Sequence, residues 1–134
     1  MFNKEKIELL VKAFVARTET EETIKNRRIL ISEIIFGKVD NNKLTKFEIE
    51  QGLKVREEEL IKIIESRIFT AAVKICMENN FCSTVLLQKS FNIGFSKAIA
   101  IIDAMEALKL VEPFVSGVRN RKLLPAIKDF KLDF

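Results

Sequence analysis

The 134-residue sequence contains no histidine, no tryptophan and no tyrosine, and it has only two cysteines, two prolines and four glycines. Without imidazole, the most frequent general base and a usual nitrogen ligand of zinc are both missing. The two thiols, Cys76 and Cys82, cannot by themselves supply the roughly four soft ligands of a structural zinc site, so no metal and no cofactor are expected. They read as reduced, half-buried cysteines of a cytoplasmic protein. Cys82 lies beside Ser83, but no base or orienting partner can be named to make it a nucleophile. The carboxylates fall in helical charge patterns such as Arg56-Glu57-Glu58-Glu59, which mark a solvated face. No catalytic residue is assigned, and no small-molecule substrate is expected. Long apolar runs are lacking too: none approaches the roughly 18–20 residues needed to cross a bilayer. The polar start Met1-Phe2-Asn3-Lys4-Glu5-Lys6 does not read as a signal peptide.

What is present is a core. A hydrophobic content of 48%, with eleven phenylalanines, is enough for one compact domain or two very small ones. The net charge of +4 is unevenly spread. Residues 68–134 hold nine Lys/Arg against six Asp/Glu, whereas residues 1–67 hold fourteen against thirteen, so the basic excess sits in the second half.

From the start of the chain, Ile7, Leu10, Val11, Phe14 and Val15 recur at helical spacing and predict a helix over about 4–17. Thr18 to Thr23 offers capping hydroxyls and first-turn carboxylates for a second helix from about Thr20 to Phe36. That helix should bury Ile24, Ile31, Ile34 and Ile35 and stop at Gly37. Asp40-Asn41-Asn42-Lys43 is the most polar turn-forming cluster and the best candidate boundary. Beyond it, Gly52 predicts a short helix near 46–52 and a longer one from about 55 that runs toward Ile68, with Leu53, Leu60, Ile61, Ile64 and Ile68 as core contacts. No Pro or Gly lies between Leu53 and Asn92, so the N-terminal helices should pack on the second half of the chain.

That second half carries the clearest motif. Ser83 or Thr84 caps a helix that closes on Phe91, Asn92-Ile93-Gly94 breaks the periodicity, and a further helix runs from Ser96 to about Leu110. Gly94 is the residue expected to take the backbone angles of the corner. Helix, short turn with glycine, helix is the layout of a helix-turn-helix. Val111–Val115 and Lys122–Leu124 read as two short strands around the loop Ser116-Gly117-Val118-Arg119-Asn120-Arg121. A helix-turn-helix followed by a basic hairpin is a winged helix, so the fold class is mainly α: N-terminal helices, then a C-terminal winged helix-turn-helix with a small β-hairpin wing. The expected division is a helical segment over 1–67, a winged helix over 68–127 and a tail over 128–134.

From about Ile68 to Ala126 the sequence resembles the gamma domain of the FtsK/SpoIIIE DNA translocases. The resemblance is carried by Ala72-Val73, Ser83-Thr84, Leu87-Gln88-Lys89, Phe91, Ile93-Gly94-Phe95, Ala98, Ile102 to Glu106, Val111, Pro113 and Gly117 to Leu124. No GxxxxGK[ST] phosphate loop accompanies it. The resemblance implies a cytoplasmic, non-catalytic protein that binds double-stranded DNA.

In a winged helix the second helix of the motif enters the major groove by its N-terminal end, which here presents Ser96, Lys97 and, one turn on, Ala100. Gamma domains usually carry Asn, Arg and a further Arg at these places; Ser96 and Lys97 still donate hydrogen bonds, and Ala100 offers a methyl contact. Arg119, Arg121 and Lys122, with Lys89 and Lys97, are candidate phosphate contacts, and Asn120 a turn former in the same loop. Ile99 is surplus to the core stripe of Ala98, Ile102, Met105 and Leu108. It either packs on the N-terminal helices or a second copy, or it faces a thymine methyl.

By analogy with other winged helices, the N-terminal helices are the expected site of a homodimer contact, and no membrane partner is expected. A freestanding reader of this kind suits a mobile element, plasmid or phage, or a small regulator. The alternative is a protein–protein interaction module on the same scaffold, with its base readers eroded and with Ile99 and the basic wing as its binding surface.

Overall fold

The computed structural model describes residues 2–37 and 44–133, apart from the side chains of residues 31, 32, 36 and 133. The expected boundary at Asp40 to Lys43, and the expected burial of Ile31, lie outside the described residues. Six helices are present among the described residues: α1 (Lys4–Thr18), α2 (Glu21–Phe36), α3 (Lys46–Ile64), α4 (Arg67–Asn79), α5 (Thr84–Phe91) and α6 (Phe95–Ala107). A 3₁₀ turn comes after them at Pro125–Asp129. Two-residue strands β1 (Phe2–Asn3) and β2 (Leu132–Asp133) pair in parallel.

Local chemistry starts most of these helices. Asn3 Oδ1 accepts from Lys6 N–H at 2.8 Å and begins α1. Thr20 with Thr23, and Thr45 with Glu48, form reciprocal capping boxes at α2 and α3. Ser66 and Ser83 cap α4 and α5 through Phe69 N–H and Leu86 N–H. Each such cap is worth about 1 kcal/mol relative to alanine. Gly37, at φ +65°, closes α2 in the left-handed region, as expected.

The middle of the chain differs from expectation at both ends. α3 runs unbroken through Gly52, because α2 crosses there: a Cβ on Gly52 would lie 2.6 Å from Ile24 Cγ2. Close helix–helix approach, rather than a helix break, explains the glycine. The expected run from 55 toward Ile68 is instead interrupted at Glu65–Ser66, where Ser66 turns extended and its hydroxyl both donates to the Ile63 carbonyl and accepts from Phe69 N–H. α2 is also less buried than predicted. Ile24 is buried, but Ile34 and Ile35 are 74% and 64% exposed, because α2 packs chiefly on α3 through its N-terminal half.

One core joins the two halves. Ile7, Val11, Phe14 and Val15 of α1 and Leu60 and Ile64 of α3 share it with Phe69, Ala72 and Val73 of α4, Leu87 of α5, and Ala98, Ile101, Ile102 and Met105 of α6. α6 packs against α1, α3, α4 and α5. Cys76 and Cys82 are fully buried free thiols rather than half-buried ones. The neighbouring Cys82 thiol and burial push the Cys76 pKa up. The expected C-terminal tail is tied down: β2 pairs with β1, and the Phe130 ring lies 5.7 Å from that of Phe2 and 5.4 Å from that of Phe69. No single helix among the described residues is long and apolar enough to cross a membrane.

Candidate nucleic-acid interface

The corner between α5 and α6 is made by asparagine. Asn92 holds φ +52° at the end of α5, with its N–H donated to the Gln88 carbonyl. Gly94, expected to supply the unusual angles, has φ −76° and is the N-cap of α6. Asparagine tolerates the left-handed region better than most residues, so the turn needs no glycine at that point. The two helices meet with a bend of 118°, within the range of a helix-turn-helix. Phe95, one residue earlier than predicted, starts α6, and the helix ends at Ala107 rather than near Leu110. No side chain caps its N-terminus, so the first-turn amides are left to other acceptors.

The expected hairpin is reduced to isolated contacts. Val111 bridges Leu123 and Cys82 bridges Arg121, both antiparallel, and neither extends into a strand. Glu112 N–H donates to the Lys122 carbonyl at 3.0 Å, and Leu124 N–H to the Leu110 carbonyl at 2.9 Å. The loop therefore returns along itself without a β-ladder, and Gly117, at φ +84°, turns its tip.

A line of charges fixes this loop and α6 to the N-terminal helices. Glu106, 7% exposed, accepts from Arg121 Nη1 at 2.7 Å and from Phe114 N–H at 3.0 Å, and lies 3.6 Å from Arg17. Arg56 of α3 reaches Asp103 of α6 at 3.0 Å and Glu19, between α1 and α2, at 3.3 Å. Arg27 of α2 also pairs with Glu19. Burial pushes the Asp103 carboxyl up, while the Arg56 and Arg121 guanidiniums oppose that shift. Pairing and hydrogen bonding hold charges that would otherwise be costly out of water. None of these partnerships can be read from spacing along the chain, since Arg56 and Asp103 are 47 residues apart.

The predicted contacts do not all reach one surface. Ser96 and Lys97 are exposed on the first turn of α6, and Ala100 is half-buried one turn on. Lys89, Arg119, Asn120 and Lys122 are exposed. Arg121 is held inward: its side chain is 10% exposed, engaged with Glu106 and 5.6 Å from the Phe114 ring centroid. A cleft of about 650 Å³ between α5, α6 and the loop brings together Lys89, Arg119, Asn120 and Arg121. Ser96, Lys97, Ala100 and Lys122 lie outside it.

Sequence reasoning missed the apolar floor of this cleft, where Phe95, Phe114 and Val118 are 60%, 68% and 52% exposed. The signal available was a crowding of phenylalanine and valine around the loop. Ile99 is half-buried where this cleft adjoins a second hollow that Phe14, Arg17 and Arg56 also line. That places it beside the N-terminal helices.

Residues 64–125 match the family model described as the Ftsk gamma domain. Over 80 residues, 60% of this chain, the sequence is 30% identical to the DNA translocase FtsK of Halalkalibacterium halodurans, covering 10% of that protein. It is 29% identical over 112 residues to the DNA translocase FtsK of Clostridium tetani, covering 84% of this chain and 14% of the relative. With the DNA translocase SftA of Bacillus subtilis it shares 31% identity over 81 residues, 60% of this chain and 8% of the relative. The chain thus spans about a tenth of the length of these relatives. No solved structure matches it.

Proposed function

We propose that the protein binds double-stranded DNA without catalysis, laying α6 in the major groove, because residues 64–125 match the Ftsk gamma domain model. Lys97 and Ser96 meet base edges and Ala100 a methyl group, while Lys89, Arg119 and Lys122 take phosphates and Asn120 shapes the loop. The residues 111–124 act as the wing of this reader. The observation that carries the reading is the exposure of Ser96 and Lys97 on the leading turn of the second helix of a helix-turn-helix whose sequence matches that family. In this reading the N-terminal helices buttress α6 and supply a homodimer contact.

The test is a fluorescence-anisotropy titration of a labelled random duplex across a salt series, with unlabelled competitor duplexes of differing base composition. Affinity should fall with salt at a slope of about −0.9 per phosphate contacted. Arg119→Glu with Lys122→Glu should abolish binding, and Lys97→Ala should weaken it. A folded sample that ignores duplex at low salt overturns the reading.

A second reading rests on the exposed Phe95, Phe114 and Val118, which favour a protein-binding cleft. Under it, an acidic peptide rather than duplex would protect the cleft.

A further inference from the structure

Among its described side chains, the second half of α2 places none in the common core and leaves Leu30, Ile34 and Ile35 outside. Leu30, Ile34 and Ile35 are 55%, 74% and 64% exposed, and the neighbouring face of α3 exposes Phe47 at 67% and Val55 at 49%. Such residues cost little singly, but here five of them fall on two helices that pack on each other. Leu30 and Ile34 lie three and seven positions after Arg27, on one stripe of α2. Phe47 and Val55 are eight apart on one stripe of α3, with Gln51 between them. Between the two helices runs a groove of about 360 Å³ lined by Ile24, Leu44, Phe47, Gly52 and Val55, with Arg27 and Arg28 on its α2 wall. A helix draws most of its stability from the packing of its apolar face, and among the described side chains of this one Leu30, Ile34 and Ile35 are left to water.

We propose that this face is closed by a second copy of the same chain, α2 against α2 about a two-fold axis near Leu30. This rests on the reading of the N-terminal helices as a self-association region, and it is independent of DNA binding. A two-fold contact requires one patch that is complementary to itself, and this patch holds both an apolar ridge and an apolar groove. The charges fit the same symmetry. With α2 antiparallel and the axis at Leu30, positions equidistant from Leu30 face each other, so Glu33 of each copy meets Arg27 of the other. Arg27 keeps 37% of its side chain exposed beyond its bond to Glu19, which leaves it accessible to that carboxylate. Glu33 is exposed on the ridge. The two α2–α3 pairs then stack as a four-helix arrangement, the ordinary way for helical pairs to cover a remaining apolar side. The dimer carries two copies of α6, which makes its best DNA target a pair of inverted half-sites.

The experiment is sedimentation equilibrium of the full chain over a range of about 1 to 200 µM, where an association of this size is concentration-dependent. The wild type should dimerise. Leu30→Glu with Ile34→Glu should weaken the dimer by a factor of about 100 or more, since it places charge at the centre of the contact. Both positions are exposed, so the helix content by circular dichroism should not fall, and the thermal midpoint should match that of the wild type at concentrations too low for it to dimerise. A charge-swap pair gives a second readout: Glu33→Arg and Arg27→Glu chains should each self-associate poorly and should form heterodimers when mixed. A wild type that stays monomeric throughout the range overturns the proposal, as does a dimer untouched by the double substitution. Duplex binding by the monomeric variant, at one chain per half-site, separates this outcome from a failure of the DNA-binding reading.

Discussion

Glu106 is the residue at which the loop that follows α6, α6 itself and α1 are joined, and its removal should be among the most damaging single changes in the chain. In Glu106→Ala, Arg121 keeps its charge at 10% side-chain exposure with its 2.7 Å partner gone, and Phe114 N–H loses its acceptor. Breaking a buried pair by deleting one member costs about 3–5 kcal/mol. The Arg17 contact adds little, because that side chain is 59% exposed and the separation is 3.6 Å. For a chain of this size each kcal/mol moves the midpoint by about 3–5 °C, so the expected fall is about 10–20 °C. Glu106→Gln retains an acceptor and loses only the charge assistance, about 1–2 kcal/mol.

The double variant Glu106→Leu with Arg121→Met removes both charges and keeps volume, and should recover the cost of the unpaired Arg121, leaving only that of the Phe114 N–H without its acceptor, about 1–3 kcal/mol. Urea unfolding monitored by circular dichroism reads all three. A Glu106→Ala cost below about 1 kcal/mol, or a double variant as unstable as the sum of its singles, would refute the reasoning. The double variant also bears on DNA: an internal Arg121 leaves the salt slope of binding unchanged, whereas a slope smaller by about 0.9 would return Arg121 to the phosphate rim.

Gly52→Ala should destabilise despite a helix-propensity gain of about 1 kcal/mol, because overpacking against Ile24 costs about 1–3 kcal/mol; adding Ile24→Ala should reverse the sign of the Gly52→Ala effect in a double-mutant cycle. At the corner, Asn92→Ala should cost about 1 kcal/mol by forcing alanine into the left-handed region, while Gly94→Ala, at φ −76° with open space around it, should stay within about 0.5 kcal/mol of wild type; equal effects at the two sites would contradict the assignment of the turn. Asp103, raised by burial, binds its proton more tightly folded than unfolded. Its contribution is therefore fully present below the unfolded value of 3.8 and is lost as pH rises through the raised folded value. The stability difference between wild type and Asp103→Asn should shift against the wild type across that window, and urea midpoints from about pH 3 to 6 check it, a flat difference being the contrary result.

Local order along the chain is enough to set where most helices begin and which face of α6 is buried. The caps at Asn3, Thr20, Thr45, Ser66 and Ser83, and the left-handed close at Gly37, act over three or four residues, so the string of letters contains all that they need. The stripe Ala98, Ile102, Met105 and Leu108 is likewise periodic, and every member is buried. The helix-turn-helix and the resemblance to the gamma domain were legible for the same reason, since both rest on local order.

The rest emerges only when the helices are packed, because the causes lie far apart along the chain. Gly52 reads as a helix breaker until Ile24, 28 positions earlier, is seen to need its space. Arg121 reads as a phosphate contact until Glu106, buried on the next element back, claims its guanidinium. Ile34 and Ile35 carry the pattern of buried residues and yet face outward, since a period tells which side of a helix is apolar and not whether anything in the same chain is there to cover it.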